Sequence, residues 1–131
     1  MNHQEVFIGV RQCLSNVLDV PEDSILPEQR ILDDLGGDSL DLLDLSFQLE
    51  QKFKVSISPR DIERRTRAAL GGKPIDVDGA YTPEALAELR KSMPEIPHNE
   101  LADGLFVADL PRRLRVQSMV NLVCRLLEEK A

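Results

Sequence analysis

Residues 33–41 read Asp33-Asp34-Leu35-Gly36-Gly37-Asp38-Ser39-Leu40-Asp41, and this stretch decides how the N-terminal half of the chain folds. Its two glycines mark the end of an acidic loop and a break before the next helix, because glycine adopts backbone conformations that regular structure does not. Asp38 and Ser39 are residue types that cap a helix N-terminus, so a helix is predicted from about Ser39 to Phe53. The apolar side chains predicted for its core face are Leu42, Leu43, Leu45, Leu49 and Phe53.

Apolar side chains at spacings of three and four residues predict three of four further helices on either side of this segment, and a capping-box pattern at Ser58–Asp61 predicts the other. They are expected at 3–18, from a Ser58-Pro59 cap to Leu70, at about 83–93, and from Pro111 or Arg115 through Leu127. Residues 71–81 are predicted to be a loop. The fold class is therefore all-α.

Acidic residues are concentrated in the first half of the chain. The 131 residues carry a net charge of −7, and residues 1–58 hold 4 basic and 11 acidic side chains, which account for all of it. Asp38, Asp41 and Asp44 recur every three residues and place an acidic edge at the start of the predicted helix. Such a surface repels phosphate backbones and attracts basic proteins, so a nucleic-acid-binding function is excluded.

The remaining composition indicates a cytoplasmic protein without a metal centre, and we expect it to be a monomer. No apolar run is long enough for a membrane span, and no signal peptide is recognisable at the N-terminus. Cys13 and Cys124 lie in apolar helical patterns and are predicted to be buried free thiols. His3 and His98 are too few to build the usual metal clusters.

Ser39 is the candidate functional residue, and one interpretation makes it a nucleophile. Gly37-Asp38-Ser39-Leu40 spells the signature of the GDSL esterases, and His98 is the base that such a serine would need. Those esterases carry Asp three residues before their histidine, whereas this chain has Glu95. The chain is also short and helical for an α/β hydrolase.

Two other interpretations of Ser39 need no base on this chain. A hydroxyl at the first turn of an exposed helix is accessible, and the helix N-terminus favours a phosphodiester attached there. Ser39 would then be an attachment point that another enzyme modifies. The simplest interpretation is that Ser39 is only a helix cap.

Residues 3–58 as a whole resemble an acyl carrier protein. The matching parts are the first helix, the long loop, the segment Asp34–Asp41, the acidic second helix, and Phe47–Phe53 continued by Val55-Ser56-Ile57. Val116 to Leu127 resembles the last helix of that family. The resemblance implies a four-helix bundle, here with one or two additional helices in an insertion.

The resemblance also implies the function and its residues. Ser39 would carry 4′-phosphopantetheine, whose thiol holds an acyl group as a thioester, and Asp38 and Leu40 would flank the attachment site. Asp41 and Asp44 match acidic contacts to basic partner surfaces. The implied partners are a phosphopantetheinyl transferase, which loads the arm from coenzyme A, and acyl ligases, synthases or transferases of a fatty acid, polyketide or specialised lipid pathway. The chain itself would not be a catalyst.

Two features depart from the family. Gly36-Gly37 is closer to aminoacyl and peptidyl carriers than to fatty-acid carriers, so an aminoacyl or peptidyl carrier is the alternative function. A further alternative is an interaction module that keeps the carrier fold without the modification. Residues of about 64–112 have no counterpart. We expect a single carrier domain over 1–131, with its core at about 3–63 and 113–130 and the insertion folded on the bundle.

Overall fold

The structure, a computed structural model, describes residues 1–58 and 60–130, which form two compact units. The first unit comprises Met1–Ile57 together with the chain from Leu114 onward, and the second comprises Ser58–Arg113. Within the described residues there are five α-helices and one two-stranded hairpin. The all-α prediction is therefore confirmed.

Three long helices form the first unit. Helix α1 spans His3–Leu18, α2 spans Ser39–Phe53 and α5 spans Val116–Lys130. Helix α1 packs against both α2 and α5, and α2 also contacts α5. The predicted bounds of α1 and α2 are confirmed.

The core of the first unit comes from one face of each helix and from the loop between α1 and α2. That loop contains a short 3-10 turn at Glu22–Ser24 and contributes two fully buried isoleucines. The buried apolar side chains include Val6, Val10, Leu14, Ile25, Ile31, Leu45, Leu49, Phe53, Val116, Val120 and Val123. Each buried aliphatic side chain of this kind contributes about 1.5–3 kcal/mol relative to exposure.

The predicted core face of α2 is wrong at one position. Leu45, Leu49 and Phe53 are buried and Leu42 is half-buried, but Leu43 is 41% exposed. Leu43 precedes Leu45 by two residues, a rotation of about 200° around a helix with 3.6 residues per turn. The two leucines therefore lie on different faces, and the run of leucines is wider than the buried stripe.

The second unit contains α3 and α4. Helix α3 spans Asp61–Ala69, and α4 spans Pro83–Ser92 after a Thr82 cap whose hydroxyl accepts the Ala85 N–H at 3.2 Å. The two helices pack on each other. Pro59, from the predicted cap of α3, lies outside the described residues.

The predicted loop at 71–81 is partly a β-hairpin. Strand β1 spans Asp76–Val77 and pairs antiparallel with β2, which spans Ala80–Tyr81. Asp78 and Gly79 form the turn with φ of 52° and 89°. A two-residue Asp-Gly connection with two positive φ angles favours a tight hairpin, and this local signal contradicts the loop prediction.

The hairpin is extended by a segment later in the chain. The Tyr81 N–H donates to the Leu105 carbonyl at 3.0 Å, and the Val107 N–H donates to the Gly79 carbonyl at 2.8 Å. Two 3-10 segments flank this segment, at His98–Glu100 and Val107–Arg113. The buried side chains of the unit include Ile75, Tyr81, Leu86, Leu89, Met93, Ile96, Leu101 and Leu105.

Candidate functional site

Ser39 is the first residue of α2 and is exposed. The preceding residue, Asp38, caps the helix: its carboxylate accepts the Asp41 N–H at 2.9 Å. In return the Asp41 carboxylate accepts the Asp38 N–H at 3.0 Å. This reciprocal capping box fixes the backbone on both sides of Ser39, and it assigns the cap to Asp38 rather than Ser39.

The position of Ser39 favours an anionic group attached to its hydroxyl. The N–H groups of a first helical turn have no carbonyl partner within the helix, and the helix dipole is positive at this end. Asp38 uses its carboxylate on Asp41 rather than on Ser39. A phosphoester on Ser39 Oγ would therefore lie beside backbone donors and in open solvent, so the residues present fit such a group.

The two glycines before the cap have different structural reasons. Gly36 has a φ of 80°, which L-amino acids with side chains rarely adopt. At Gly37 a Cβ atom would lie 3.2 Å from the Ile31 carbonyl oxygen and 3.2 Å from Leu18 Cδ2. Close packing against α1 therefore accounts for Gly37 without reference to the type of cargo.

The loop before α2 is held by a side-chain pair that no pattern in the sequence predicts. The Arg30 guanidinium donates to both carboxylate oxygens of Asp34, from Nε at 3.2 Å and from Nη2 at 3.0 Å. The Arg30 N–H also donates to the Asp34 carboxylate at 2.8 Å. These hydrogen bonds hold the pKa of the Asp34 carboxyl below its usual range.

Helix α2 presents an apolar stripe to solvent beside its acidic edge. Leu40, Leu43 and Phe47 are 75%, 41% and 55% exposed. Their spacing of three and then four residues places them on one face of the helix. Asp44 is exposed next to them, whereas Asp41 is half-buried and contributes to the cap. The same spacing in the sequence predicts this second face of α2, which the core assignment of Leu43 obscured.

The residues of the esterase interpretation are divided between the two units. Ser39 belongs to the first unit, and Glu95 and His98 belong to the second. His98 is exposed at the start of the 3-10 turn His98–Glu100. The site around Ser39 is built from residues of the first unit: Arg30, Asp34, Gly37, Asp38 and the first turns of α2.

The described residues contain neither a candidate metal cluster nor a candidate membrane span. Within residues 1–58 and 60–130, no three His, Cys, Asp or Glu side chains are grouped so as to bind a metal ion. In the same ranges, no helix has both the length and the apolar character that crossing a membrane requires.

A protein-family comparison covers the site. The family model described as "Phosphopantetheine attachment site" matches residues 9–72, a range that includes most of α1, the loop and all of α2. Residues 73–130, which contain the hairpin, α4 and α5, lie outside the matched range. The chain thus carries a phosphopantetheine attachment domain.

Curated relatives match about half of the chain. The acyl carrier protein of Thermotoga maritima is 38% identical over 63 residues, which are 48% of this chain and 78% of that protein. The acyl carrier protein of Campylobacter lari is 41% identical over 59 residues, 45% of this chain and 77% of that protein. The resemblance drawn from residues 3–58 is confirmed, and the chain belongs to the acyl carrier protein family.

Proposed function

We propose that Ser39 Oγ holds a 4′-phosphopantetheine arm on which this protein carries acyl groups as thioesters. The observation that carries the proposal is the exposed hydroxyl at the first residue of α2, within the range matched by the attachment-site family. Asp38 and Leu40 flank the attachment point. The arm supplies a thiol that forms the thioester, and this chain supplies a fixed, accessible position for it.

Loading needs little chemistry from this chain. Ser39 Oγ attacks the phosphorus atom that bears the pantetheine arm in coenzyme A, while a base on the phosphopantetheinyl transferase takes the hydroxyl proton. The pyrophosphate P–O bond breaks, and adenosine 3′,5′-bisphosphate leaves. The capping box holds Ser39 in place, and the first-turn N–H groups stabilise the negative charge of the phosphoester. The protein is accordingly a carrier rather than an enzyme.

Partner enzymes dock on the exposed face of α2. The acidic residues Asp41 and Asp44 attract basic surfaces, and the exposed stripe of Leu40, Leu43 and Phe47 offers apolar anchors for the centre of an interface. The transferase docks there first. Acyl ligases, synthases or transferases of a fatty acid, polyketide or specialised lipid pathway follow.

The cargo is an acyl rather than an aminoacyl group. The curated relatives are acyl carrier proteins, and close packing at Gly37 together with the positive φ of Gly36 accounts for the Gly-Gly pair.

The two cysteines are buried free thiols, which fits a reducing compartment such as the cytoplasm.

Loading by a transferase tests the proposal. Incubation with coenzyme A and a broad-specificity phosphopantetheinyl transferase is expected to add one phosphopantetheinyl group, measured by intact mass. A known acyl carrier protein is loaded in parallel. If that control is fully modified and this protein keeps its mass, the proposal is wrong. Turnover of a p-nitrophenyl ester that is lost in His98→Ala would instead support a hydrolase.

Charge reversal on the docking face is expected to weaken the transferase complex. Asp44→Lys should raise the KM for loading by several-fold at low salt with little change in kcat, because the exposed carboxylate contributes steering rather than chemistry. Glu22→Lys is the matched control, since Glu22 is an exposed acid in the loop between α1 and α2. Equal KM values for the two variants would show that Asp44 is not part of the docking face.

Thiol reactivity is expected to distinguish the loaded from the unloaded protein. Burial raises the pKa of both the Cys13 and the Cys124 thiol, so little thiolate is present at pH 8. The native unloaded protein should therefore react slowly with Ellman's reagent. The loaded protein should rapidly release one equivalent of thionitrobenzoate, because the thiol of its arm is exposed. Rapid reaction of the unloaded protein would mean that the cysteines are accessible.

A further inference from the structure

The Arg30–Asp34 pair lies at the centre of the loop that presents Ser39, which we call the Ser39 loop (residues 30–38). Besides the three hydrogen bonds to the Asp34 carboxylate, the Arg30 carbonyl accepts the N–H groups of Asp34 and Leu35, both at 3.1 Å. Arg30 Nη1 also lies 3.7 Å from the Asp33 carboxylate. One residue thus contacts the next acidic turn through its side chain, its N–H and its carbonyl.

The base of the Ser39 loop is anchored to the start of α5. Arg30 forms an isolated β-bridge with Arg115, and the Ile31 N–H donates to the Leu114 carbonyl at 3.1 Å. Gln29 accepts the Val116 N–H at 3.0 Å. Because α5 packs against α1, the Arg30 end of the loop is fixed to the helical core.

The Ser39 end of the loop is tied to this anchor by backbone hydrogen bonds, and the Gly36 N–H donates to the Leu32 carbonyl at 3.1 Å. The Gly37 N–H donates to the Ile31 carbonyl at 3.1 Å, directly before the Asp38 cap. Gly36 and Gly37 lose more conformational entropy on ordering than any other residue pair. The capping box fixes the backbone from Asp38 onward, and the ordered turn at 30–34 holds the two glycines that lead into it.

Global stability does not explain the pair. Arg30 and Asp34 keep 34% and 36% of their side-chain surface exposed, and an ion pair open to solvent contributes little to the free energy of unfolding. Its position, five residues before Ser39, gives it a local effect instead. Resting on the proposed function, we propose that the Arg30–Asp34 pair is a positioning device that holds the Ser39 hydroxyl in the geometry needed for phosphopantetheinyl transfer.

This role predicts a specific kinetic signature. The docking face of α2 is unchanged when the pair is broken, so the transferase binds as before and KM is retained. In the bound complex the Ser39 hydroxyl is in place for a smaller fraction of the time, so kcat falls. Docking variants such as Asp44→Lys have the opposite signature, a raised KM with kcat retained.

A double-mutant cycle on loading tests the proposal. Arg30→Gln and Asp34→Ala are each expected to lower kcat about tenfold with KM within about twofold of wild type. Arg30→Lys, which keeps the charge but not the paired donors, should recover part of the loss. The double variant should be no slower than the slower single variant, because the two residues act as one unit.

The matched control is Arg67→Gln. Arg67 Nη2 pairs with Glu63 at 3.0 Å four residues away, as Arg30 does with Asp34, but in α3 of the second unit. Its kcat should equal that of wild type. Backbone amide relaxation of Gly37 and Ser39 provides a second measurement, and in Arg30→Gln both amides should become more mobile while α1 and α5 keep their spectra.

The outcomes are distinguishable. If wild type is loaded and the pair variants keep wild-type kcat, or lose it only through KM, the positioning role is wrong and the proposed function stands. Additive losses in the double variant, or unchanged amide mobility at Gly37 and Ser39, also contradict it. If wild type is not loaded at all, the proposed function fails and this inference fails with it.

Discussion

Ser39→Ala is expected to abolish loading completely under conditions that convert all of the wild-type protein. The methyl group that replaces the hydroxymethyl group cannot form a phosphoester, and the first turn of α2 contains no other hydroxyl. Because Asp38 rather than Ser39 caps the helix, the variant should keep the fold and the thermal midpoint of wild type. Intact mass after incubation with coenzyme A and the transferase measures the result.

Ser46→Ala is the matched control for Ser39→Ala. Ser46 lies on the same helix but is half-buried, and its hydroxyl donates to the Leu42 carbonyl at 3.0 Å. It should be loaded as wild type is. If the Ser39→Ala protein still gains the phosphopantetheinyl group, the arm is attached to another residue and the assignment of Ser39 is wrong.

Two leucines on one helix are expected to differ sharply in their effect on stability. Leu49 is fully buried, and Leu49→Ala removes packed methyl groups and leaves a cavity, so the free energy of unfolding should fall by about 2–5 kcal/mol. Leu40→Ala should change it by no more than about 0.5 kcal/mol, because that side chain already lies in solvent. Urea unfolding followed through amide resonances of α1 and α2 reports on the first unit alone.

The Leu40→Ala variant provides more than a stability control. If its apolar side chain anchors partner enzymes, it should have a raised KM for loading with a normal free energy of unfolding. A large stability loss in Leu40→Ala, or none in Leu49→Ala, would show that the assignment of the two faces of α2 is wrong.

Helices and their caps were predictable from this sequence because both depend on neighbours in the chain. The apolar spacing around Val6 and Val10 and the Asp38 cap before α2 are local signals, and α1 and α2 begin and end as predicted. The Asp78-Gly79 turn was equally local, but two-residue strands are too short for their alternating pattern to be seen. The Asp78-Gly79 dipeptide is therefore the feature of the sequence that predicts this hairpin.

Other features depend on contacts between segments that are distant in the chain, and the sequence pattern does not predict them. Leu43 was assigned to the core because leucine is apolar, whereas its exposure follows from which face of α2 meets α1. The Arg30–Asp34 pair requires the particular turn at 30–34, which is fixed by the hydrogen bond from Ile31 to Leu114. The role of Ser39 came from the family resemblance, since a serine at a helix start is compatible with a simple cap.

Locating an acylated arm on the wild-type chain would show whether Ser39 carries acyl groups. The transferase is supplied with an acyl-coenzyme A, the protein is digested, and the modified peptide is sequenced by fragmentation mass spectrometry. We predict a single acyl-phosphopantetheinyl group on Ser39, with the acyl group released by hydroxylamine because it is held as a thioester. Modification at any other residue, or no modification while a control acyl carrier protein is loaded, would mean that Ser39 is not the attachment residue.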